Sequence, residues 1–206
     1  MRTHTKETQQ VLTPDLIIEI LKKGNERFVN NIKTNRNLLE QVNETSTAQY
    51  PFAAILSCID SRTSAELIFD QGLGDIFSIR IAGNILNEDI LGSMEFACKI
   101  AGSKLIVVLG HTNCGAVIGA CDDIKLGHLT TLVNKIKPSI EIETQTLSER
   151  NGRNIKFVQN VTVNNVKLAV EGIRRRSPIL SEMENDNKIK IIGGMYDVET
   201  GIVKFL

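Results

Sequence analysis

The chain offers no excess of either charge. Its 206 residues carry 24 basic and 24 acidic side chains, which excludes the broad positive field that a nucleic-acid binder presents. The one basic cluster, Arg174–Arg176, reads as a helix end or a solvated face. Long apolar runs are missing too: none approaches the roughly 20 residues of a membrane span. The polar start, MRTHTKETQQV, lacks the apolar segment of a secretory signal. Cysteine is scarce, and the expected setting is the reducing cytoplasm. There Cys58, Cys98, Cys114 and Cys121 read as metal ligands or small core residues rather than disulfides. Repeats and low-complexity tracts are absent. One domain over residues 1–206 is therefore expected, with a helical arm at 1–48, a catalytic core at 49–126, and helices and edge strands at 127–206.

What is present alternates in period. Thr13 and Pro14 form a helix start, and Leu16, Ile17, Ile20, Leu21 and Phe28 recur at helical spacing to about residue 30. Residues 34–49 have the composition of a connection. FAAILSCI, DIFSIRI and KLIVVLG are short continuous apolar runs, as in strands buried on both faces, and KIKIIGGMYDV repeats this more loosely. Helical patterns lie between them. The class expected is α/β, with a mainly parallel sheet of about four strands flanked by helices. DVETGIVKF adds a strand, a glycine turn and a returning antiparallel edge strand. Residues 88–102 carry an apolar stripe through Ile90, Met94, Ala97 and Ala101, with Phe96 and Ile100 on a second shoulder. Such a helix has more than one packing partner. Residues 127–183 read as mostly helical, although VTVNNV is rich in β-branched residues.

Two of the strand ends carry chemistry. AAILS runs into CIDSR, placing Cys58, Asp60 and Arg62 at alternate positions, and LIVVL runs into GHTNC, placing His111 and Cys114 in the next turn. Ligands of an open parallel sheet gather beyond the carboxyl ends of its strands. If these strands are neighbours, Cys58, His111 and Cys114 converge on one ion. Two thiolates and an imidazole are a zinc-type set, and three protein ligands leave a fourth position open to water. Taken singly, each piece has a plainer reading: a strand-end cysteine is often a small core residue, and a lone H-x-x-C is weak. The two motifs together favour a metal.

Asp60 could itself close that vacancy. Arg62, at matching spacing, can hold it away through a bidentate fork; the plainer reading is an ordinary strand-end ion pair. Cys98 and Cys121 have no such company and read as core fillers. His4 and His128 read as incidental surface or helix residues. The GLG at 72–74 lacks both the third glycine of a dinucleotide fingerprint and the lysine of a P-loop.

SCIDSR followed by GHTNCG resembles the zinc signature of the β-class carbonic anhydrases. The likeness continues through IFDQGLGDIFSIRIAGN, GSMEFA and KLIVVLGHTNCGAV, densely over residues 49–120. The resemblance implies one Zn2+ per subunit on Cys58, His111 and Cys114. It also implies an Asp60–Arg62 catalytic dyad in which Asp60 can become a fourth ligand. The activity implied is reversible hydration of CO2 to bicarbonate and a proton via zinc-bound hydroxide. Gly115 matches a substrate-holding backbone N–H. Gln49 and Phe77 match the plant-type branch, Phe96 stands where that branch has tyrosine, and Ala82 stands where a larger wall residue is usual. Gln49, Phe77 and Phe96 would reach the metal from a neighbouring subunit, so a homodimer or a dimer of dimers is implied, with an N-terminal helix lying across the partner. The tryptophan on which the other branch builds an inhibitory bicarbonate site is absent. Neither nucleic acid nor membrane is expected as a partner. The alternatives are hydrolysis of carbonyl sulfide or carbon disulfide at the same site, or a non-catalytic zinc or redox module.

Overall fold

A computed structural model of the chain describes residues 3–206. Helix α1 (Lys6–Val11) starts at a capping box between Thr5 and Thr8. Helix α2 (Pro14–Val29) starts where Thr13 accepts a hydrogen bond from the Leu16 N–H. Its Ile17 and Leu21 are fully buried. Gly24 is required there, because a Cβ would lie 1.8 Å from the Phe69 carbonyl oxygen. Ile17 and Leu21 of α2 are thus taken up by its own chain, whereas Leu16 and Val29 on the same helix remain exposed. Helix α3 (Leu38–Thr45) lies inside the segment read as a connection. The Asn37 side chain caps it by accepting from the Glu40 N–H, and Gln41, buried against Gly72, anchors it.

Strand β1 (Ala53–Ser57) is buried throughout, and the short helix α4 (Ala65–Ile68) follows it. Strand β2 (Ile76–Arg80) is half-exposed, unlike the buried strand its composition suggested. A 3-10 turn (Ala82–Asn84) leads to α5 (Glu88–Glu95), which continues as a π-turn over Phe96–Ile100. Strand β3 (Leu105–His111) is buried and runs into α6 (Gly115–Cys121). Helices α7 (Gly127–Asn134), α8 (Lys137–Glu141), α9 (Ile155–Arg176) and α10 (Pro178–Asn185) precede β4 (Lys190–Tyr196) and β5 (Val203–Phe205). The β-branched stretch within α9 is helical because Val161, Thr162 and Val166 are buried there. Packing outweighs the few tenths of a kcal/mol by which such residues disfavour helix.

The sheet order is β2-β1-β3-β4-β5, with β2, β1, β3 and β4 parallel and β5 antiparallel to β4. This is the expected class. Alternate residues of β1 and β3 feed two cores. Ala54, Leu56, Ile106 and Val108 face α5, α9 and α10, whereas Ala53, Ile55, Leu105 and Val107 face α2. The chain leaves β1 for β2 on one side and returns to β3 on the other, so the topological switch lies between β1 and β3. Ser57 is in register with Leu109, which sets the two motif-bearing turns side by side at that switch. Among the described residues, no helix is long and apolar enough to cross a membrane.

Candidate metal centre and active site

Cys58, His111 and Cys114 meet beyond the ends of β1 and β3. One ligand atom from each lies within 4.8 Å of the other two, and all three residues are buried. The His111 Nδ1 is 2.9 Å from the Thr112 carbonyl oxygen, so Nδ1 carries the proton and donates. That tautomer leaves the lone pair on Nε2, which is buried without a partner. The donor set and this orphaned nitrogen fit a soft divalent cation such as zinc.

The sulfurs are tightly linked. The neighbouring Cys114 thiol and the Gly83 N–H hold Cys58 well below the usual thiol range, against the cost of burial. Cys114 is pushed up by the neighbouring Cys58 sulfur and by burial, and the N–H groups of Ala116 and Val117 at the start of α6 partly offset this. A cation in their midst favours loss of the remaining proton.

Asp60 stands outside this group and is gripped elsewhere. Arg62 donates from Nε to Oδ1 at 2.9 Å and from Nη2 to Oδ2 at 2.8 Å, and its backbone N–H adds a third bond to Oδ1 at 3.0 Å. The Arg62 guanidinium therefore holds the Asp60 carboxyl well below the usual carboxylate range. Sequence reading missed the residues that brace this turn. Arg80, at the end of β2, donates from Nε to the Cys58 carbonyl at 3.0 Å and from Nη2 to the Asp60 carbonyl at 2.6 Å. The Thr63 hydroxyl bonds the same two carbonyls. The Gly83 N–H donates to Cys58 Sγ at 3.4 Å, and Asn165 on α9 holds the Gly83 carbonyl at 2.8 Å. The only trace of these in the sequence was the polar ending of two apolar runs, RIAGN and SCIDSR.

The remaining expected site residues divide. Gly115 opens α6 immediately after Cys114, and Ala82 opens the 3-10 turn that carries Gly83. Phe77 and Phe96 meet edge to face, with centroids 6.3 Å apart, on the outer side of β2. Gln49 precedes β1 whereas Cys58 follows it, so its own strand separates the two by about 16 Å at the usual rise per residue. Cys98 is buried in the main core and Cys121 is half-buried beneath the site, both outside the ligand cluster.

A family model for carbonic anhydrase matches residues 53–203. The chain belongs to the carbonic anhydrase family. It is similar to carbonic anhydrase 2 of Mycobacterium tuberculosis, 36% identical over 187 residues that cover 88% of this chain and 87% of that one. Among solved structures, the β-carbonic anhydrase CafA of Aspergillus fumigatus matches with a TM-score of 0.72 at 27% identity, covering 82% of this chain and 81% of that one. One of two tetrameric β-carbonic anhydrases of Sordaria macrospora shares the fold, with a TM-score of 0.68 at 23% identity over 78% of this chain and 83% of that one. The carbonic anhydrase is thus of the β class, and its reaction is the reversible hydration of CO2 to bicarbonate. These likenesses favour neither carbon–sulfur hydrolysis nor a non-catalytic zinc module.

Proposed function

We propose that Cys58 Sγ, His111 Nε2 and Cys114 Sγ hold one Zn2+ per chain and that Asp60, restrained by Arg62, governs its fourth position. The observation that carries this reading is the mutual approach of three buried donors while the Asp60 carboxylate is tied up by Arg62. When bound, the ion supplies Lewis acidity that brings the pKa of water from about 15.7 toward about 7.

The chain's own groups do the rest. Asp60 stays ionised and is therefore an acceptor only, able to take a proton-bearing hydrogen bond from the nucleophile and leave its lone pair facing CO2. Released from Arg62, the same carboxylate becomes a fourth donor and closes the site. Gly115 is the first residue of α6, so its N–H has no helical acceptor. A Cβ there would meet nothing within 4 Å, which leaves the approach clear for a substrate oxygen to accept that N–H. Ala82 forms a wall of the pocket. Gln49, Phe77 and Phe96 complete it from a second copy, in the plant-type manner, and the assembly is a homodimer or a dimer of dimers. Four cysteines without a disulfide support a reducing, cytoplasmic setting.

Zinc content and stopped-flow CO2 hydration test this directly. Wild type should carry one zinc per chain. Arg62→Ala should keep the zinc and lose about a hundredfold or more in kcat, because Asp60 is free to coordinate. Near-normal turnover of that variant would refute the gate. Stripping the metal with a chelator should abolish turnover and make Cys58 and Cys114 open to alkylation.

A further inference from the structure

A cavity of about 350 Å³ lies between α8, the C-terminal half of α9 and the chain entering α5, away from the cysteines. Lys135, Arg175 and Arg176 line it, with Glu171 as the carboxylate on its wall. Arg176 pairs with Glu88 at 2.9 Å, and Arg174, one turn face away, is held by Glu184 and the Ile191 carbonyl. Among the described residues, neither Lys135 nor Arg175 forms an ion pair within 4.0 Å, although Lys135 lies near enough to help lower the Glu88 carboxyl. Cations at a helix C-terminus complement its dipole, but that role alone gives no reason for Lys135 and Arg175 to share a concavity whose largely apolar lining also holds two buried polar side chains. Ser139 and Asn165 are those two polar residues; they are 1% and 5% exposed, and the Ser139 hydroxyl donates to Asn165 Oδ1 at 3.3 Å.

We propose that this cavity binds a small phosphate-bearing molecule and reports its occupancy to the metal centre. The three cations Lys135, Arg175 and Arg176 outnumber the carboxylates of Glu171 and Glu88 by one, which leaves the site positive toward a phosphate, and a guanidinium fork suits its oxygens. The volume admits an organic body beyond the phosphate itself. The route to the metal centre is short and specific. Asn165 donates to the Gly83 carbonyl at 2.8 Å, and the N–H of the same Gly83 donates to Cys58 Sγ at 3.4 Å. Gly83 sits at a φ of 67° with Ile136 and Ala116 close by, so its peptide has little room to turn independently of Asn165. A ligand that draws on the Ser139–Asn165 pair therefore alters the hydrogen bond that Cys58 receives.

The test titrates the full-length, zinc-loaded protein with ribose 5-phosphate by calorimetry at constant low ionic strength, with ribose as the uncharged control. Ribose 5-phosphate should bind with a Kd of about 1 mM or below and ribose should not. Lys135→Ser/Arg175→Ser should weaken binding about tenfold or more, while Lys156→Ser, an exposed cation elsewhere on α9, should leave it unchanged. Thermal melts confirm that each variant is folded. Absence of binding, equal binding by the double variant, or equal weakening by Lys156→Ser would overturn the site. The Gly83 amide resonance reads the coupling: it should shift on saturation of wild type, and an unmoved resonance with the site filled would overturn the link to Cys58. Repeating the titration on metal-free protein separates this site from the zinc reading, since phosphate binding does not require the ion.

Discussion

Arg80 stands exposed at the last position of β2, yet both arms of its guanidinium are spent on the carbonyls of Cys58 and Asp60. These carbonyls flank Ile59, so the arginine fixes the peptide planes that aim the Cys58 sulfur at His111 and the Asp60 carboxylate at Arg62. Groups that hold a metal ligand without touching the metal are commonly worth about 10- to 100-fold in affinity or activity. Arg80→Ala is expected to lower both zinc affinity and kcat/KM by about that factor, while the melting temperature changes little because the side chain is largely in solvent. Arg80→Lys should recover only part, since one ammonium cannot span both carbonyls in a fixed plane. Unchanged zinc competition and kcat/KM in Arg80→Ala would refute the role. The clustered donors Cys58, His111 and Cys114 were legible in the sequence because each sits in a motif with a chemical reason for its spacing. Arg80 was not, because its partners lie on another strand and only the sheet order makes them neighbours.

Helix α2, the chain ahead of α3 and the end of α4 are tied together at one carboxylate. Asp70, buried and at a φ of 45°, accepts from Arg27 on α2, from Arg36 ahead of α3 and from Thr34. Burial alone would raise its carboxyl, but the two guanidinium groups and Thr34 outweigh it and hold it at about 2. A carboxyl of ordinary pKa 3.8 lowered to about 2 on folding contributes about 2 kcal/mol. That contribution is fully present above about pH 4 and is lost as the pH falls toward 2. Asp70→Asn should therefore cost about 2 kcal/mol or more in urea unfolding at pH 7, since it also strands two arginines. The penalty should shrink on acidification through that window; a penalty that stays constant down to pH 2 would show that charge is not its source. This junction also explains which elements could be read from the sequence. The buried strands and α2 carry their own period. Helix α3 does not, because Leu38, Leu39 and Val42 are exposed and its hold comes from the Asn37 cap and the Gln41 contact. The half-exposed state of β2 was hidden for a related reason: apolar composition does not distinguish a central strand from an edge strand whose outer face awaits another surface.

Over the molecule as a whole, the outer side of β2 is a face left open. Phe96 is 54% exposed and Ile100 72%, turned outward by the π-turn beside the open edge of β2, and Ile59 is exposed within the dyad segment. Exposed apolar side chains beside an open sheet edge suit the dimer contact proposed above. Gln49 and Cys58 lie at opposite ends of β1, so the proposed role of Gln49 in orienting substrate requires that it come from a second copy. Two defective chains make this testable. Gln49→Ala keeps its own ligands but spoils the partner's pocket, and Cys58→Ser loses its own metal but lends an intact Gln49. Each homodimer should be nearly inactive. In co-refolded mixtures about half the dimers are mixed, and each mixed dimer has one complete site out of two. The mixture should regain about a quarter of wild-type CO2 hydration per chain, above the sum of its parts. If Gln49 acted within its own chain, every site in the mixed dimer would lack either Gln49 or Cys58, and mixing would restore nothing.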